Sequence, residues 1–284
     1  MKKAKIILYS AYGNHSNRLL QNIHFEAFCK EYNIDFINST FSDMKKYYSI
    51  NRQHYGRFDY ILQKFPLMLK VFKLVLKIMK KLNLVEFVSC NEDQDNTAKL
   101  LALLSTPRCL LVGGWYFRDH DLTKKYQDYF ISKYSLKEEY YKNNLLLNKI
   151  NKLKESDKIV VGIHIRRGDY KYWMEGKYYF DDNVYLNYMK KIKEEIKIKY
   201  KKECGFIIFS NEDISIPENE YTHISKNEWY IDHMLMSKCD FLLGPVSTFT
   251  MWASYIGKVK FFHINDDSSD IDLDSFAYCI GRLG

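Results

Sequence analysis

The chain has 284 residues, enough for one large domain or two modest ones, each with its own core. With 46% hydrophobic residues and only four prolines and twelve glycines, it is neither disordered nor fibrous nor of low complexity. A formal charge of +8 draws a protein to nucleic acids, anionic membranes or phosphorylated substrates. The lysines are dispersed, however, and no basic-aromatic module is present, so nucleic acid is not an expected partner.

The 24 tyrosines suit sugar-binding walls, because a phenol buries area and keeps a polar tip. AT-biased codon usage, which raises Lys, Ile, Asn, Tyr and Phe together, explains the same count. The cysteines Cys29, Cys90, Cys109, Cys204, Cys239 and Cys279 include no pair at zinc or CxxC spacing. Each lies in or near an apolar run, as buried thiols in a reducing compartment do. The apolar stretch at the N-terminus is too short for a secretion signal, and no uncharged run approaches the ~18 residues of a membrane span. The expectation is a cytoplasmic protein.

Lys5 to Tyr9 reads as a buried strand, broken by Gly13 and Asn14. Ser16 is a candidate N-cap for a helix over Asn17 to Tyr32, and Ile34 to Ile37 is a second strand. Residues 39–62 are polar and aromatic and fit no period. Pro66 can open a helix reaching Leu82, Val85 to Ser89 is a strand, and Leu100 to Leu104 suits a helix end. Cys109 to Val112 is a strand closed by Gly113 and Gly114. Residues 121–156 read as mostly helical and highly charged, and the boundary between two lobes, 1–150 and 151–284, is placed there. Beyond it, Ile159 to Ile165 is almost wholly apolar, as a strand covered on both faces is. Helices are expected over Val184 to Tyr200, Asn227 to Lys238 and Thr248 to Ile256, with strands at Phe206 to Phe209, Phe241 to Leu243 and Val259 to His263. The alternation implies an α/β fold with parallel sheets, whose ligands bind beyond the carboxyl ends of the strands.

At that end of the Ile159 strand stands His164-Ile165-Arg166-Arg167-Gly168-Asp169-Tyr170. His164 and Arg166 share one face of the strand. Two adjacent arginines need counter-charge, and a diphosphate supplies it through bidentate guanidinium contacts. The plainer reading is an Arg167–Asp169 pair that ties down a loop, which leaves Arg166 and His164 less well explained.

This stretch resembles the hallmark motif of the α-1,2-fucosyltransferases of glycosyltransferase family eleven, and similar motifs occur in α-1,6- and protein O-fucosyltransferases. Three further segments match in the family's order. They are Phe206 to Asp213, Asp232 to Cys239, and Gly244 to Ala253 with its Ser247-Thr248-Phe249. The N-terminal match is thinner. Asn17 and Gln21 of Asn14 to Asn22 are kept and the family's glycines are not, while Gly114-Trp115-Tyr116-Phe117 resembles a second family segment. The resemblance implies a GT-B-like fold of two Rossmann-like lobes with a cleft between them, the C-terminal one holding the nucleotide sugar.

It also implies inverting transfer of fucose from GDP-fucose to a hydroxyl of a glycan acceptor, the 2-OH of a galactoside, in the synthesis of surface polysaccharide such as O-antigen or capsule. Arg166 would stabilise the departing diphosphate. His164, Arg166, Arg167, Ser210, Glu212, Ser247, Thr248 and Phe249 would bind the donor, and Asn17, Gln21, Trp115 and Tyr116 would serve the acceptor side. Ser247 to Phe249 equally suit simple capping of the helix that follows. Glu212 or Asp213 would contact guanine or ribose, or else lie in a solvated turn. No metal and no cofactor beyond the donor substrate is expected. Asp169 and Glu26 are the candidate bases, Asp169 alternatively orienting Arg167. The alternatives are transfer of another GDP-deoxysugar or to a different hydroxyl, or a non-catalytic sugar-nucleotide- or glycan-binding role.

The segment 64–82 carries Lys70, Lys73, Lys77, Lys80 and Lys81 at three- and four-residue steps among Leu, Val, Phe, Ile and Met. This is the pattern of a helix lying in a membrane interface and also of a surface helix on a core. The first reading would place the enzyme peripherally on the inner membrane, acting on lipid-linked glycans.

Overall fold

The computed structural model describes residues 4–41, 43–50, 65–92, 95–105, 109–267 and 271–279. The segment 39–62, which fits no period, lies outside these at residue 42 and from residue 51 onward, as does Lys64 at the start of the segment 64–82. The chain forms two compact units, one built on residues up to Ser135 and the other on Leu136–Cys279.

The first unit holds β1 (Lys5–Leu8), β2 (Asp35–Asn38), β3 (Glu86–Ser89) and β4 (Cys109–Gly113), all parallel, in the order β2-β1-β4-β3. Its helices are α1 (His15–Glu31), α2 (Pro66–Lys81), α3 (Asn96–Leu104), α4 (His120–Lys125) and α5 (Gln127–Lys133). Side chains of period two leave the sheet on opposite faces. Ile6, Leu8, Leu110 and Val112 pack with Phe25, Phe28 and Phe117, whereas Ile7, Ile37 and Leu111 pack with Leu69 and Leu76 of α2. Both faces are covered, which is why β1 and β4 read as continuous apolar runs. Helix α1 begins two residues earlier than its sequence indicates: Asn14, in extended conformation, is the N-cap, and Ser16 is buried in the first turn.

Inside α1, Glu26 is only 6% exposed. It is ion-paired to the equally buried Lys133 and accepts hydrogen bonds from the Tyr134 hydroxyl at 2.8 Å, the Tyr129 hydroxyl at 3.1 Å and the Asn22 amide at 3.1 Å. These partners enclose the carboxylate and leave it no opening toward a substrate, so Glu26 is not a candidate base. It is the hub that joins α1 to α5.

The second unit holds β5 (Ile159–Ile165), β6 (Cys204–Ser210), β7 (Thr222–Ile224), β8 (Phe241–Pro245), β9 (Lys260–Ile264) and β10 (Ala277–Tyr278). The order is β10-β9-β8-β5-β6-β7, and all pairs are parallel except β9 with β10. Its helices are α6 (Leu145–Glu155), α7 (Asp182–Tyr200), α8 (Trp229–Met236) and α9 (Thr248–Gly257). Helix α6 opens on the Asn144 side chain, which accepts the Leu146 and Leu147 N–H groups at 3.0 Å. The core gathers Val161, Ile163 and Ile165 of β5, Ile208 of β6 and Leu243 of β8 against Tyr185, Tyr188 and Ile192 of α7. Strands β7 and β10 carry no apolar run, which is why pattern alone does not show them. Each unit is the Rossmann-like α/β layer expected of a GT-B-like chain.

Glu26→Ala removes the buried carboxylate that pairs with the Lys133 ammonium, and removing one partner of such a pair costs about 3–5 kcal/mol. Urea unfolding is expected to show that loss, and Glu26→Ala with Lys133→Met is expected to recover much of it.

Candidate functional site

In the second unit β5 and β8 lie side by side although β6 and β7 intervene in sequence. Strand order therefore reverses between them, and in an open α/β sheet that reversal leaves a crevice beyond the carboxyl ends of the two strands. The chain leaves β5 through Arg166-Arg167-Gly168 and leaves β8 through Val246-Ser247 into α9. A side chain on Gly244 would meet the His164 carbonyl oxygen at 2.6 Å, so glycine there lets β8 lie close against β5.

His164 is 4% exposed; its Nδ1 lies 2.8 Å from the Thr250 hydroxyl, and its ring stacks on Phe249 at 5.1 Å. Burial, helped by the charge of Arg166 and by His263, pushes its pKa down to about 3. At neutral pH the imidazole offers a hydrogen bond and no charge. Phe249 is packed in turn on His233, with ring centres 4.0 Å apart.

The two arginines differ. Arg167 pairs with Asp182 at the start of α7, both mostly buried at 15% and 18% exposure. The other oxygen of Asp182 accepts the Ser215 N–H at 2.7 Å, and the Arg167 N–H donates to Asn211 at 2.9 Å. Arg167 thus clamps the loops after β5 and β6 to α7. Arg166 pairs with Asp169 at 2.7 Å, but that carboxylate is 61% exposed. An exposed pair is worth about 0–1 kcal/mol, so Arg166 can exchange Asp169 for a better anion. This corrects the expected Arg167–Asp169 pair. Gly168 sits at φ +64, and the left-handed turn brings residue 169 back beneath residue 166. The loop is further tied to β8 by Tyr170, whose hydroxyl donates to the Val246 carbonyl at 2.6 Å.

Ser247 is extended and caps α9, its hydroxyl accepting the Phe249 N–H at 3.2 Å. The capping reading holds, and the first turn of α9, from Thr248, faces the same strand ends with its N–H groups. After β6, the Ser210 hydroxyl accepts the Glu212 N–H at 3.2 Å. Ser210, Glu212 and Asp213 line a cavity of about 700 Å³ with Ser225 and Lys226. Among the described residues no three His, Cys, Asp or Glu side chains are grouped as metal ligands would be.

Sequence reasoning assigned no role to Asp232, although it heads one of the recognised segments. The carboxyl is 7% exposed and accepts from Ser225 at the cavity wall. Burial, added to by Glu228 and opposed by the Ser225 hydrogen bond, raises its pKa to about 7. Its spacing within an apolar helix was the available signal.

In the first unit β1 and β4 are likewise adjacent across a strand-order reversal. Gln21 is wholly buried; its amide donates to the Ser10 carbonyl at 3.2 Å and the Gly114 carbonyl at 2.9 Å, pinning the two strand ends. It shapes this end of the sheet from inside. Asn17 lies beside Gly13, whose added side chain would strike the Asn17 amide. Trp115 stacks on Tyr12 with ring centres 4.8 Å apart and is covered by Arg118 at 3.9 Å; Tyr116 is 45% exposed.

The family model for Glycosyl transferase family 11 matches residues 105–270. Among solved structures, a mutant of Arabidopsis thaliana FUT1 in complex with GDP aligns with TM-score 0.56 at 12% identity, covering 97% of this chain and 74% of that one. The fucosyltransferase NodZ from Bradyrhizobium aligns with TM-score 0.54 at 12% identity and 97% coverage of both chains. POFUT1 in complex with GDP-fucose aligns with TM-score 0.50 at 10% identity, covering 90% of this chain and 94% of that one. At these identities the likeness is one of fold. None of the curated proteins compared matches the sequence.

Two outcomes follow from the site's electrostatics. Asp182→Ala strands a buried Arg167 and is expected to cost about 3 kcal/mol in urea unfolding, whereas Asp169→Ala is expected to cost less than about 1 kcal/mol. Asp232, with its folded pKa raised above the unfolded value, contributes stability that is present at low pH and lost as pH rises through about 7. The stability of Asp232→Asn relative to the parent chain is therefore expected to climb as pH rises from about 5 to about 8.

Proposed function

The chain belongs to Glycosyl transferase family 11, and from that membership we propose that it transfers fucose from GDP-fucose, with inversion, to a hydroxyl of a glycan acceptor. The observation that carries the reading is Arg166. Its guanidinium stands at the β5/β8 reversal, paired with an exposed carboxylate and lying over the Tyr170 ring at 5.4 Å, in the loop that faces the turn into α9. The complexes of FUT1 with GDP and POFUT1 with GDP-fucose support a guanosine diphosphate donor. The motif resemblance supports an α-1,2 linkage to the 2-OH of a galactoside, within surface polysaccharide synthesis.

In the proposed reaction the acceptor oxygen bonds to the anomeric carbon as the bond from that carbon to the β-phosphate oxygen breaks. The electron pair leaves with the diphosphate. Arg166 and the first N–H groups of α9, with the Ser247 and Thr248 hydroxyls, meet the growing negative charge. They interact more strongly with the transition state than with the bound donor. Arg166 and the N-terminus of α9 already bring positive charge to the strand end, so the proposal includes no metal. His164 adds an uncharged hydrogen bond, and Phe249 fixes its ring. Arg167 holds the loop on which Arg166 rides. Ser210, Glu212 and Asp213, lining the cavity after β6, are assigned to guanine and ribose. Asp169, displaced from Arg166 when the diphosphate arrives, is the carboxylate assigned to the acceptor proton.

Acceptor recognition is assigned to exposed aromatic surface. In the second unit Tyr172 and Trp173 follow the Arg166 loop at 79% and 41% exposure. Met174 and Glu175 after them hold φ of 48° and 58°. Two successive non-glycine residues in the left-handed region are strained, and such strain gathers in ligand-binding segments. In the first unit Trp115, Tyr116, Asn17 and Gln21 are assigned to the acceptor side, Tyr116 being exposed. The six free thiols, five of them buried, support the cytoplasmic expectation.

Calorimetry and turnover test the reading together. Arg166→Ala is expected to abolish measurable GDP binding and to lower kcat for GDP-fucose by about 100- to 1,000-fold, while Lys191→Ala leaves both unchanged. GDP binding that survives Arg166→Ala contradicts it. Turnover of another GDP-deoxysugar in place of GDP-fucose would replace the donor and keep the site.

A further inference from the structure

Helix α2 meets its sheet along a narrow line. Among its described side chains only Leu69 and Leu76 are buried, at 3% exposure each, against Ile7, Ile37 and Leu111. At 100° per residue these two point one way, and Leu67, Val71, Leu74, Val75 and Ile78 cluster on the opposite side. All five face solvent, from 44% to 74% exposed, and Leu82 and Leu84 continue the patch at 61% and 65%. A helix packed on a core places its apolar stripe inward and charges outward. Here the outward face is the apolar one, and so contiguous a patch marks an interaction surface.

The lysines show what covers it. Lys73 and Lys80 turn back toward the sheet; Lys80 caps the Phe87 ring at 3.6 Å. Lys70, Lys77 and Lys81 are exposed and form a single row along one edge of the apolar face. No aspartate or glutamate occurs from Phe65 to Val85. An acidic protein partner would be met by charges scattered across the contact. An apolar strip edged by cations, without one anion, fits a plane that is apolar in depth and negative at its rim, which is an anionic bilayer surface. The helix is 16 residues long and carries five lysines, so it lies along such a surface. No helix among the described residues is long and apolar enough to cross a membrane.

We propose that the outward face of α2, Leu67, Val71, Leu74, Val75 and Ile78 with Lys70, Lys77 and Lys81, is a docking surface for anionic lipid bilayers. The proposal goes beyond the transfer reaction and does not depend on the donor. Attachment of this kind would restrict the enzyme to acceptors presented at the membrane.

Co-sedimentation of the full chain with vesicles tests it, using phosphatidylcholine alone and phosphatidylcholine doped with phosphatidylglycerol. The protein is expected to pellet with the doped vesicles and far less with the neutral ones. Lys70→Gln with Lys77→Gln and Lys81→Gln is expected to weaken that partitioning on the order of 100-fold, since each lysine near an anionic surface contributes roughly fivefold. Leu74→Gln with Ile78→Gln is expected to abolish it. All these side chains are exposed, so the variants should unfold at the parent's urea midpoint, and retained GDP binding separates loss of docking from failure of the donor assignment. The proposal is overturned if the parent chain stays in the supernatant with doped vesicles, pellets equally with neutral ones, or pellets undiminished in the lysine variant. It is also overturned if sedimentation equilibrium shows a dimer that Leu74→Gln dissolves, which would assign the face to a second copy.

Discussion

One constraint organises the second unit. A parallel sheet that grows outward from β5 in both directions must reverse its strand order between β5 and β8. In an open sheet such a reversal leaves a crevice beyond the strand ends, and the polar groups that leave β5 and β8 lie at it. Arg166 carries a positive charge there, and its carboxylate partner Asp169 is mostly in water. The surrounding bonds keep it there. Arg167 ties its loop to Asp182, and Tyr170 ties the same loop to the turn after β8.

The charged groups divide by burial. Glu26 with Lys133, and Arg167 with Asp182, are enclosed and internally neutralised, and they hold elements together. Arg166 with Asp169 is half in solvent and weakly coupled, so it can answer to a ligand. His164 completes the pattern by staying uncharged, because burial beside Arg166 makes a second positive charge unfavourable. Adjacent arginines in one motif therefore do different work, and the difference lies in which carboxylate each can reach.

Much of this was legible in the amino-acid order. Strand β5 declares itself by a run without polar interruption, and the polar cluster follows it directly. The pairing of the arginines was not legible, because it depends on the left-handed turn at Gly168 and on Asp182, which returns from the start of α7. Glu26 read as a free carboxylate because Tyr129, Lys133 and Tyr134 lie more than a hundred residues away in sequence. Strands β7 and β10, three and two residues long, present too little pattern to see. Helix α2 is apolar on both sides, so periodicity alone could not say which side meets the sheet. Its burial decides the matter: the narrow side does, and the broad one faces out.

The most direct measurement is a crystal structure of the protein with GDP. The β-phosphate is expected within hydrogen-bond distance of the Arg166 guanidinium and the first N–H groups of α9, with Asp169 released from its pair. An intact Arg166–Asp169 pair, with the diphosphate bound elsewhere in the chain, would contradict the assignment of that guanidinium to the leaving group.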